Sequence, residues 1–582
     1  MVKRGDGLMK MKIPIGISNF RELIEGNYYF IDKSLLIKEF MDNGAKIILT
    51  PRPRRFGKTL NMSMIRYFFD INMKKKTNVL NKELEYSKNL FNGLNIEKEV
   101  EIMKMQGELP VINISFNTAK FNNFQDTMSR IRSLMSEIYL ENKYLLDSNA
   151  IEAIEKEKFN KVINEKADSE LIATALGNLT KYLYKHFNKR VIVLIDEYDV
   201  PIQEGYINGY YEEIISFQRV MFTDLLKDNN NVEKALITGI LRVAKESIFS
   251  GLNNLEVNTM LSNKFSDKFG FTQDEVDRFL AYYNLEDKNA EVREWYNGYI
   301  FGKNIIYNPW SVLNYAENNE EGFMPYWINS SSNDLIKKLL LKGDQRIKTE
   351  LEELIIGKSI SKVIDENIVM EDVQDSNENI WSFLLLLGYL KTIKKETVDG
   401  MRLCELQIPN KECLIFYKNI VKKWFLESMT SERYEELLGS LTTGDIKIFG
   451  ALFKGFVINN VSYFDVSGKE PEKVYHAFVL GMLVSLAENY DVKSNKESGY
   501  GRYDVMIIPK DTSKIGIIIE FKKINEFLND TIEEATEDAL KQIEDKKYES
   551  ELVERGIKNI IKLAIVFKNK QVEITQAYVV YN

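Results

Sequence analysis

At 582 residues the chain is too long for one hydrophobic core, so two or three domains are expected. Ten prolines, 44% hydrophobic and 28% charged residues describe a folded protein without long disordered tails, and apolar runs such as FLLLLGYL (383–390) are far short of the roughly 20 residues that span a bilayer. A net charge of −8 does not suggest a wholesale basic coat for a polyanion; two histidines exclude most histidine-ligated zinc hydrolases, and two cysteines (Cys404, Cys413) outside any CxxC pair argue against a disulfide framework or a cysteine-based zinc site.

Any metal is therefore expected to be a hard cation held by carboxylates. The amino terminus, MVKRGDGLMKMKIPIG, has no continuous apolar stretch of the signal-peptide kind, so a cytoplasmic protein with no membrane partner is expected.

Over residues 1–257, short β-branched runs alternate with amphipathic stretches. KIILT (46–50), PVINISF (110–116), VIVLI (191–195) and KALIT (234–238) are the strands; NFQDTMSRIRSLMSEIYL (123–140) and YYEEIISFQRVMFTDLLKD (210–228) are among the helices. Buried strands alternating with helices predict a parallel α/β sheet covered on both faces.

The first strand runs into PRPRRFGKT (51–59). A phosphate cradle of the form GxxxxGK[ST] turns backbone N–H groups inward at a helix amino terminus. Gly57, Lys58 and Thr59 satisfy its second half, while Arg52 stands where the first glycine belongs. In that cradle Lys58 bridges the β- and γ-phosphates of ATP and Thr59 ligates Mg²⁺. Taken alone, the stretch also fits a basic surface loop ahead of a helix. VIVLIDEYD (191–199) changes the balance, because this apolar strand ends in two carboxylates. Asp196 would hold the Mg²⁺ shell and Glu197 would polarise the attacking water. KALITG ends a further strand at Thr238, a sensor position for the γ-phosphate or its water, and Arg242 is a second candidate for that region.

Residues 258–444 are mostly helical, with aromatic clusters at WYNGYIFG (295–302) and YNPWSVL (307–313). IWSFLLLLGYLKTI followed by LCELQIPNKECLIFYKNIVKKWF gives helix, strands and helix, as in a winged-helix module. From 445 to 582 a third unit opens with a helix over 471–490, continues through strands RYDVMII (502–508) and IGIIIEF (515–521), and carries a helix over 528–548. His476 fits a helix-surface or packing position.

If those two strands form an antiparallel hairpin closed by PKDTSK, Asp504 faces residue 519 or 520. Glu520 and Lys522 then share one face. A glutamate inside an otherwise apolar strand is costly to bury unless it binds something, and a divalent cation is the simplest partner. Two carboxylates and a carbonyl hold Mg²⁺ against a scissile phosphate, and the adjacent lysine stabilises the developing charge. Glu-x-Lys alone is nearly uninformative; Asp504 in the opposing strand gives it meaning.

RPRRFGKTL, VLIDEYDVPI and ITGILRVAKESIFSGLNNL (237–255) together resemble the AAA-ATPase-like family found at the front of many bacterial proteins. The resemblance extends over YFIDKS (29–34) and both aromatic clusters, covering roughly the first 315 residues. In that family the arginine-bearing loop is the usual form, so the missing glycine does not count against nucleotide binding. Arg52, Arg54 and Arg55 beside Lys58 place four positive charges within seven residues. Neutralising a triphosphate, reaching a neighbouring subunit's nucleotide and pairing with Asp199 are all open to them. The second of these allows a homo-oligomer, though the sequence carries no oligomer signature.

The spacing from Asp504 through Glu520 to Lys522 is similar to that of the PD-(D/E)XK nuclease superfamily. It is closest to the version fused behind AAA-ATPase-like domains, where GxGRxD leads into the strand. That resemblance implies Glu497 as a further metal ligand and Gln542 as a family position. On its helix Gln542 shares a face with Ala535 and Ala539 and points towards the sheet. The expected fold is α/β and multidomain: a P-loop ATPase, a helical middle and a restriction-endonuclease-like end. The expected function is ATP-controlled, Mg²⁺- or Mn²⁺-dependent cleavage of nucleic acid, DNA ahead of RNA, in defence against mobile elements or in their movement. The alternative is an ATP-dependent signalling or scaffold protein whose last domain binds nucleic acid or protein without cutting.

Overall fold

A computed structural model describes residues 10–71, 89–241, 254–330, 333–341, 344–355, 357–368, 378–426, 429–460, 479, 482–483, 486, 489–494, 497–498, 501–524, 531–568 and 571–580. Spatial contacts divide the chain into two units, residues 1–331 with 361–412, and residues 332–360 with 413–582.

The first unit is organised by a five-stranded sheet. Its elements are β1 (Ile47–Pro51), α1 (Lys58–Phe69), β2 (Val111–Ser115), α2 (Phe124–Glu141), α3 (Ala175–Phe187), β3 (Val191–Asp196), α4 (Val200–Asn208), α5 (Tyr211–Leu226), β4 (Val232–Gly239) and β5 (Leu255–Val257). The strand order is β2-β3-β4-β1-β5, and every pairing is parallel. Every residue of β1 and β3 is buried, because helices cover both faces. That burial explains their unbroken apolar sequence. α2 starts where Asn123 accepts the Asp126 N–H at 2.9 Å, satisfying one orphan donor of its first turn. The short strand β5 is an addition to the four strands expected from the sequence; it aligns Leu255 with Ile47.

The position of β4 is what builds a site. It lies between β1 and β3, pairing Thr238 with Thr50 on one side and Ile237 with Ile195 on the other. The carboxyl ends of three adjacent strands therefore deliver the phosphate loop, Thr238 and Asp196 to one rim. Ligands of open parallel sheets bind at that rim.

The rest of this unit is largely helical. It contains α6 (Gln273–Tyr283), α7 (Asn289–Tyr296), the hairpin β6 (Tyr299–Phe301) and β7 (Asn304–Ile306), and α8 (Pro309–Glu317). α6 is stopped at its start by a reciprocal capping box between Thr272 and Glu275. The two aromatic clusters of the sequence pack here: Tyr296, Tyr307 and Tyr315 are buried with Val276, Phe279 and Leu280, and the Tyr315 and Phe323 rings stack at 4.2 Å. β8 (Ile360–Ile364), α9 (Asn379–Leu386), β9 (Lys391–Val398) and β10 (Met401–Gln407) follow, with a three-stranded sheet ordered β8-β10-β9; the unit ends at Glu412, in the first turn of α10 (Lys411–Leu426), whose remaining residues belong to the second unit. α9, β9, β10 and α10 are thus the helix, strands and helix of the sequence pattern. Neither Cys404 nor Cys413 is in a disulfide, and both are buried.

The second unit contains α11 (Ser431–Thr443), α12 (Ile446–Asn460), β11 (Tyr490–Ser494), β12 (Glu497–Ser498), β13 (Gly501–Arg502), β14 (Val505–Pro509), β15 (Gly516–Lys523), α13 (Ile532–Asp545), α14 (Ser550–Glu554), β16 (Asn559–Lys568) and β17 (Gln571–Val580). Its main sheet is mixed, in the order β11-β14-β15-β16-β17, with only β15 and β16 parallel. A parallel pair needs a crossover, and α13 lies on that crossover. A capping box between Thr531 and Glu534 opens α13, and its Ala539 and Ile543 are buried. Of the helix expected over 471–490, most residues, His476 among them, lie outside the described residues.

Candidate functional site

The phosphate loop is built from backbone conformation. Gly57, the residue before α1, has φ +82°, and no side chain caps that helix. A Cβ at Gly57 would meet nothing within 4 Å, so the space in front of the helix is open. Arg55 also has positive φ, +68°, whereas Phe56 between them does not. Alternating hands along successive residues make neighbouring N–H groups converge, forming an anion nest at the positive end of a helix. For a non-glycine residue such as Arg55 the left-handed conformation costs roughly 1–2 kcal/mol.

Beside that loop Asp196 joins two hydroxyls. Thr59 donates to its Oδ2 at 2.7 Å and Thr238 to its Oδ1 at 2.6 Å. Thr59 comes from α1, Asp196 from β3 and Thr238 from β4, and Asp196 and Thr238 are buried. Lys58 is buried too and donates to the Arg52 and Pro53 carbonyls, each at 3.0 Å. Burial pulls its pKa down, while Glu197, Asp196 and Asp199 pull it back up. Glu197 follows Asp196 with φ +50°, turning the chain sharply off the strand. Burial pushes its carboxyl above the usual range, and Lys58 opposes that shift.

The sequence leaves three roles open for the loop arginines, and the structure gives Arg52 a different one. Its side chain is fully buried and donates to the Pro51 and Asn258 carbonyls at 2.8 and 2.7 Å. Its guanidinium lies 5.3 Å from the Phe269 ring centre and 5.1 Å from that of Phe301. Burial pulls its pKa to about 9, which leaves the group charged at neutral pH. Arg52 is therefore a staple beneath the loop, held by cation–π contacts, and not a phosphate contact. Arg55 stacks on Trp310 at 4.1 Å. Only Arg54 approaches the acidic rim, at 3.5 Å from Gln203 Oε1.

Asp199 pairs with backbone and with an amide, not with an arginine. Its Oδ2 accepts from the Ile240 and Leu241 N–H groups at 2.9 and 3.1 Å and from Gln203 at 2.9 Å. It fixes the chain leaving β4, just beyond Thr238. A Cβ at Gly239 would come within 2.6 Å of Asp199 Oδ1, so this close approach needs glycine. Arg242 lies outside the described residues.

In the second unit, β14 and β15 pair Val505 with Ile519 and Ile507 with Ile517. Carried one residue further, that register sets Asp504 opposite Glu520. Asp504 Oδ2 accepts the Phe521 N–H at 2.8 Å, which fixes the carboxylate against the backbone between Glu520 and Lys522. Glu520 is buried in β15 beside Ala564 of β16. Gln542 reaches in from α13, accepting from Lys522 Nζ at 2.7 Å and donating to Glu520 Oε1. The glutamine thus orients the carboxylate and the ammonium together. β12 and β13 pair Glu497 with Arg502 through the backbone, and the Glu497 side chain is outside the description. Among the described residues, no group of three or more His, Cys, Asp and Glu side chains gathers in the arrangement of a metal site.

Sequence reasoning missed three contributors. Tyr548, whose hydroxyl accepts from Gln542 Nε2 at 3.2 Å, has its pKa raised by burial and, less strongly, by Glu520 and Asp504. Gln203 joins Arg54 to Asp199. Trp327 donates its indole N–H to the Arg54 carbonyl at 3.1 Å. Gln203, one turn into the helix after the acidic strand end, was within reach of helical spacing; Trp327 had no local signal.

Comparison with known proteins matches residues 14–249 to the family described as a predicted AAA-ATPase, and residues 470–577 to the PD-(D/E)XK nuclease superfamily. The chain is 24% identical over 559 residues to an uncharacterized protein in the vnfD 5′ region of Azotobacter chroococcum mcd 1, covering 94% of this chain and 95% of that protein. Among solved structures, a Walker-type ATPase of Pyrococcus abyssi aligns at a TM-score of 0.33 and 12% identity, over 66% of this chain and 94% of that one.

Proposed function

We propose that this chain, which joins a predicted AAA-ATPase domain to a PD-(D/E)XK nuclease-superfamily domain, binds and hydrolyses ATP to control metal-dependent cleavage of nucleic acid, DNA ahead of RNA. In the front site the loop N–H groups and Lys58 hold the β- and γ-phosphates. Thr59 and Asp196 supply the hard oxygen ligands that suit Mg²⁺. Glu197 orients the attacking water and takes its proton; its raised pKa makes it a better base than an exposed glutamate. Thr238, already bonded to Asp196, orients the γ-phosphate end. Arg54 stands on the acidic side of the loop and adds positive charge there.

In the rear site Asp504 and Glu520 would hold Mg²⁺ or Mn²⁺, with Glu497 as a third ligand. The ion, when bound, supplies charge for the scissile phosphate and an acidified water. Lys522 stabilises the charge that develops on the phosphate, and Gln542 keeps it in place. The observation that carries the reading is this tie: one glutamine bonded to both the acid and the lysine of a Glu-x-Lys strand, with an aspartate opposite. β15 lies inside its sheet, between β14 and β16, so this Glu-x-Lys is not the pattern of an amphipathic edge strand.

A second reading, binding without cutting, draws on the presence of only two described carboxylates, Asp504 and Glu520, at the rear site. Incubation with DNA and RNA substrates and Mg²⁺ or Mn²⁺, with and without ATP, separates the two. Metal-dependent cleavage that is lost in Glu520→Ala supports cutting, and intact substrate with ATPase activity retained supports binding alone.

A further inference from the structure

The consecutive peptide units of the phosphate loop are held from behind by residues of the helical part of the same unit. Pro53 rests against Gly388, where a Cβ would stand 3.0 Å from the proline ring. Phe56 packs against Tyr299 and Phe301 at 5.0 and 5.2 Å between ring centres. Trp327 donates to the Arg54 carbonyl at 3.1 Å, and Trp310 lies 4.1 Å beneath the Arg55 guanidinium.

Trp327 is itself fixed on three sides. Tyr299 and Tyr389 flank its ring at 6.0 and 5.1 Å, and its backbone N–H donates to Glu412 Oε1 at 2.5 Å. The other oxygen of the Glu412 carboxyl accepts from Ser311 at 2.8 Å. A trans peptide points its C=O and N–H in opposite directions. A donor on the Arg54 carbonyl therefore aims the Arg55 N–H away from Trp327. The same peptide leads into the strained left-handed φ of Arg55.

We propose that Trp327 and Trp310 are positioning residues for ATP: together they hold Arg55 in the left-handed conformation that directs its N–H into the phosphate nest. The Arg55 guanidinium then acts as a backbone brace through its stack on Trp310, and not as a phosphate ligand. The aromatic bed replaces the conformational freedom that a glycine-rich loop would have. This accounts for an arginine at a left-handed position of the loop that glycine would adopt without strain.

The inference rests on the ATPase reading, and one experiment separates their failures. The titrant is a Mg²⁺ complex of a non-hydrolysable ATP analogue, followed by isothermal titration calorimetry on the full chain, with thermal melting as a folding control. Trp327→Phe keeps an aromatic ring at this buried position and loses the indole N–H together with the fused five-membered ring. It should weaken binding about three- to tenfold, the loss of one hydrogen bond. Adding Arg55→Gly to Trp327→Phe should bring the affinity back to within about twofold of wild type, because glycine adopts positive φ without strain. A general packing defect would deepen when glycine is added, so recovery identifies positioning. Unchanged affinity in Trp327→Phe, or no recovery in the double variant, overturns the inference. Lys58→Ala is the control: if it binds the analogue as the wild type does, the nucleotide reading itself fails.

Discussion

Thr238 donates its hydroxyl to Asp196 at 2.6 Å from a strand that lies between the phosphate-loop strand and the strand ending in Asp196. The bond ties two rim residues from different strands into one unit, with Thr59 on the carboxylate's other oxygen. Thr238→Val keeps the shape and removes the donor. Losing a hydrogen bond to a charged group is worth about 1.5–3 kcal/mol, so kcat for ATP should fall roughly tenfold to a hundredfold. Steady-state phosphate release together with a nucleotide-binding titration checks this, since Kd should change much less than kcat.

In the proposed ATPase site, Lys58 serves binding and Glu197 serves turnover. Lys58→Ala should abolish detectable nucleotide binding, because the buried ammonium is the only described lysine inside the loop. Glu197→Gln should preserve binding and lower hydrolysis by two orders of magnitude or more, within the range typical of general-base loss. Unchanged hydrolysis in both variants would refute the assignment.

Gln542 is bonded to both Lys522 and Glu520, the two groups to which the proposal gives the chemistry of the rear site. Gln542→Leu, similar in volume, should leave thermal stability nearly unchanged and reduce cleavage by about tenfold to a hundredfold, as loss of an orienting partner does at metal sites. Lys522→Ala should reduce it further. The check is the rate of substrate loss for each variant at saturating Mg²⁺.

Much of this was readable in advance. The four main strands announced themselves as short apolar runs, and the Asp504–Glu520–Lys522 spacing followed from the two-residue period of a hairpin. Gln542 was placed correctly towards the sheet because a helix face is a local property. The fate of the arginines was not readable. Arg52 is buried because Phe269, Phe301 and the Asn258 carbonyl, all more than 200 residues away, enclose it. Charge density suggested phosphate, and tertiary packing used one arginine as a staple and another as a brace. Asp199 likewise looked like an arginine partner, while its nearest donors are backbone N–H groups from the next strand's exit.

Glu412 gives a stability signature. Burial raises its pKa from 4.5 to about 7, against bonds from Ser311, Trp327 and Ile328. Between those values the folded state keeps a proton that the unfolded chain has released. Stability therefore falls as pH rises through that window and levels off above it. The loss is on the order of 3 kcal/mol. Glu412→Gln cannot ionise, so its stability relative to wild type should rise from about pH 5 to about pH 8. Denaturant unfolding of both proteins at the two pH values measures the difference; a constant gap would show that Glu412 does not titrate.

The proposal stands on two separate acidic sites in one chain, Asp196 with Glu197 at the end of β3 for ATP hydrolysis and Asp504 with Glu520 of β15 for strand cleavage. The most direct test incubates supercoiled plasmid with wild type, Glu520→Ala and Lys58→Ala in Mg²⁺ or Mn²⁺, with and without ATP. The account predicts metal-dependent cutting by wild type that is abolished in Glu520→Ala and no longer responds to ATP in Lys58→Ala. Plasmid left intact by wild type under every metal and nucleotide condition, while ATP is still hydrolysed, would contradict it.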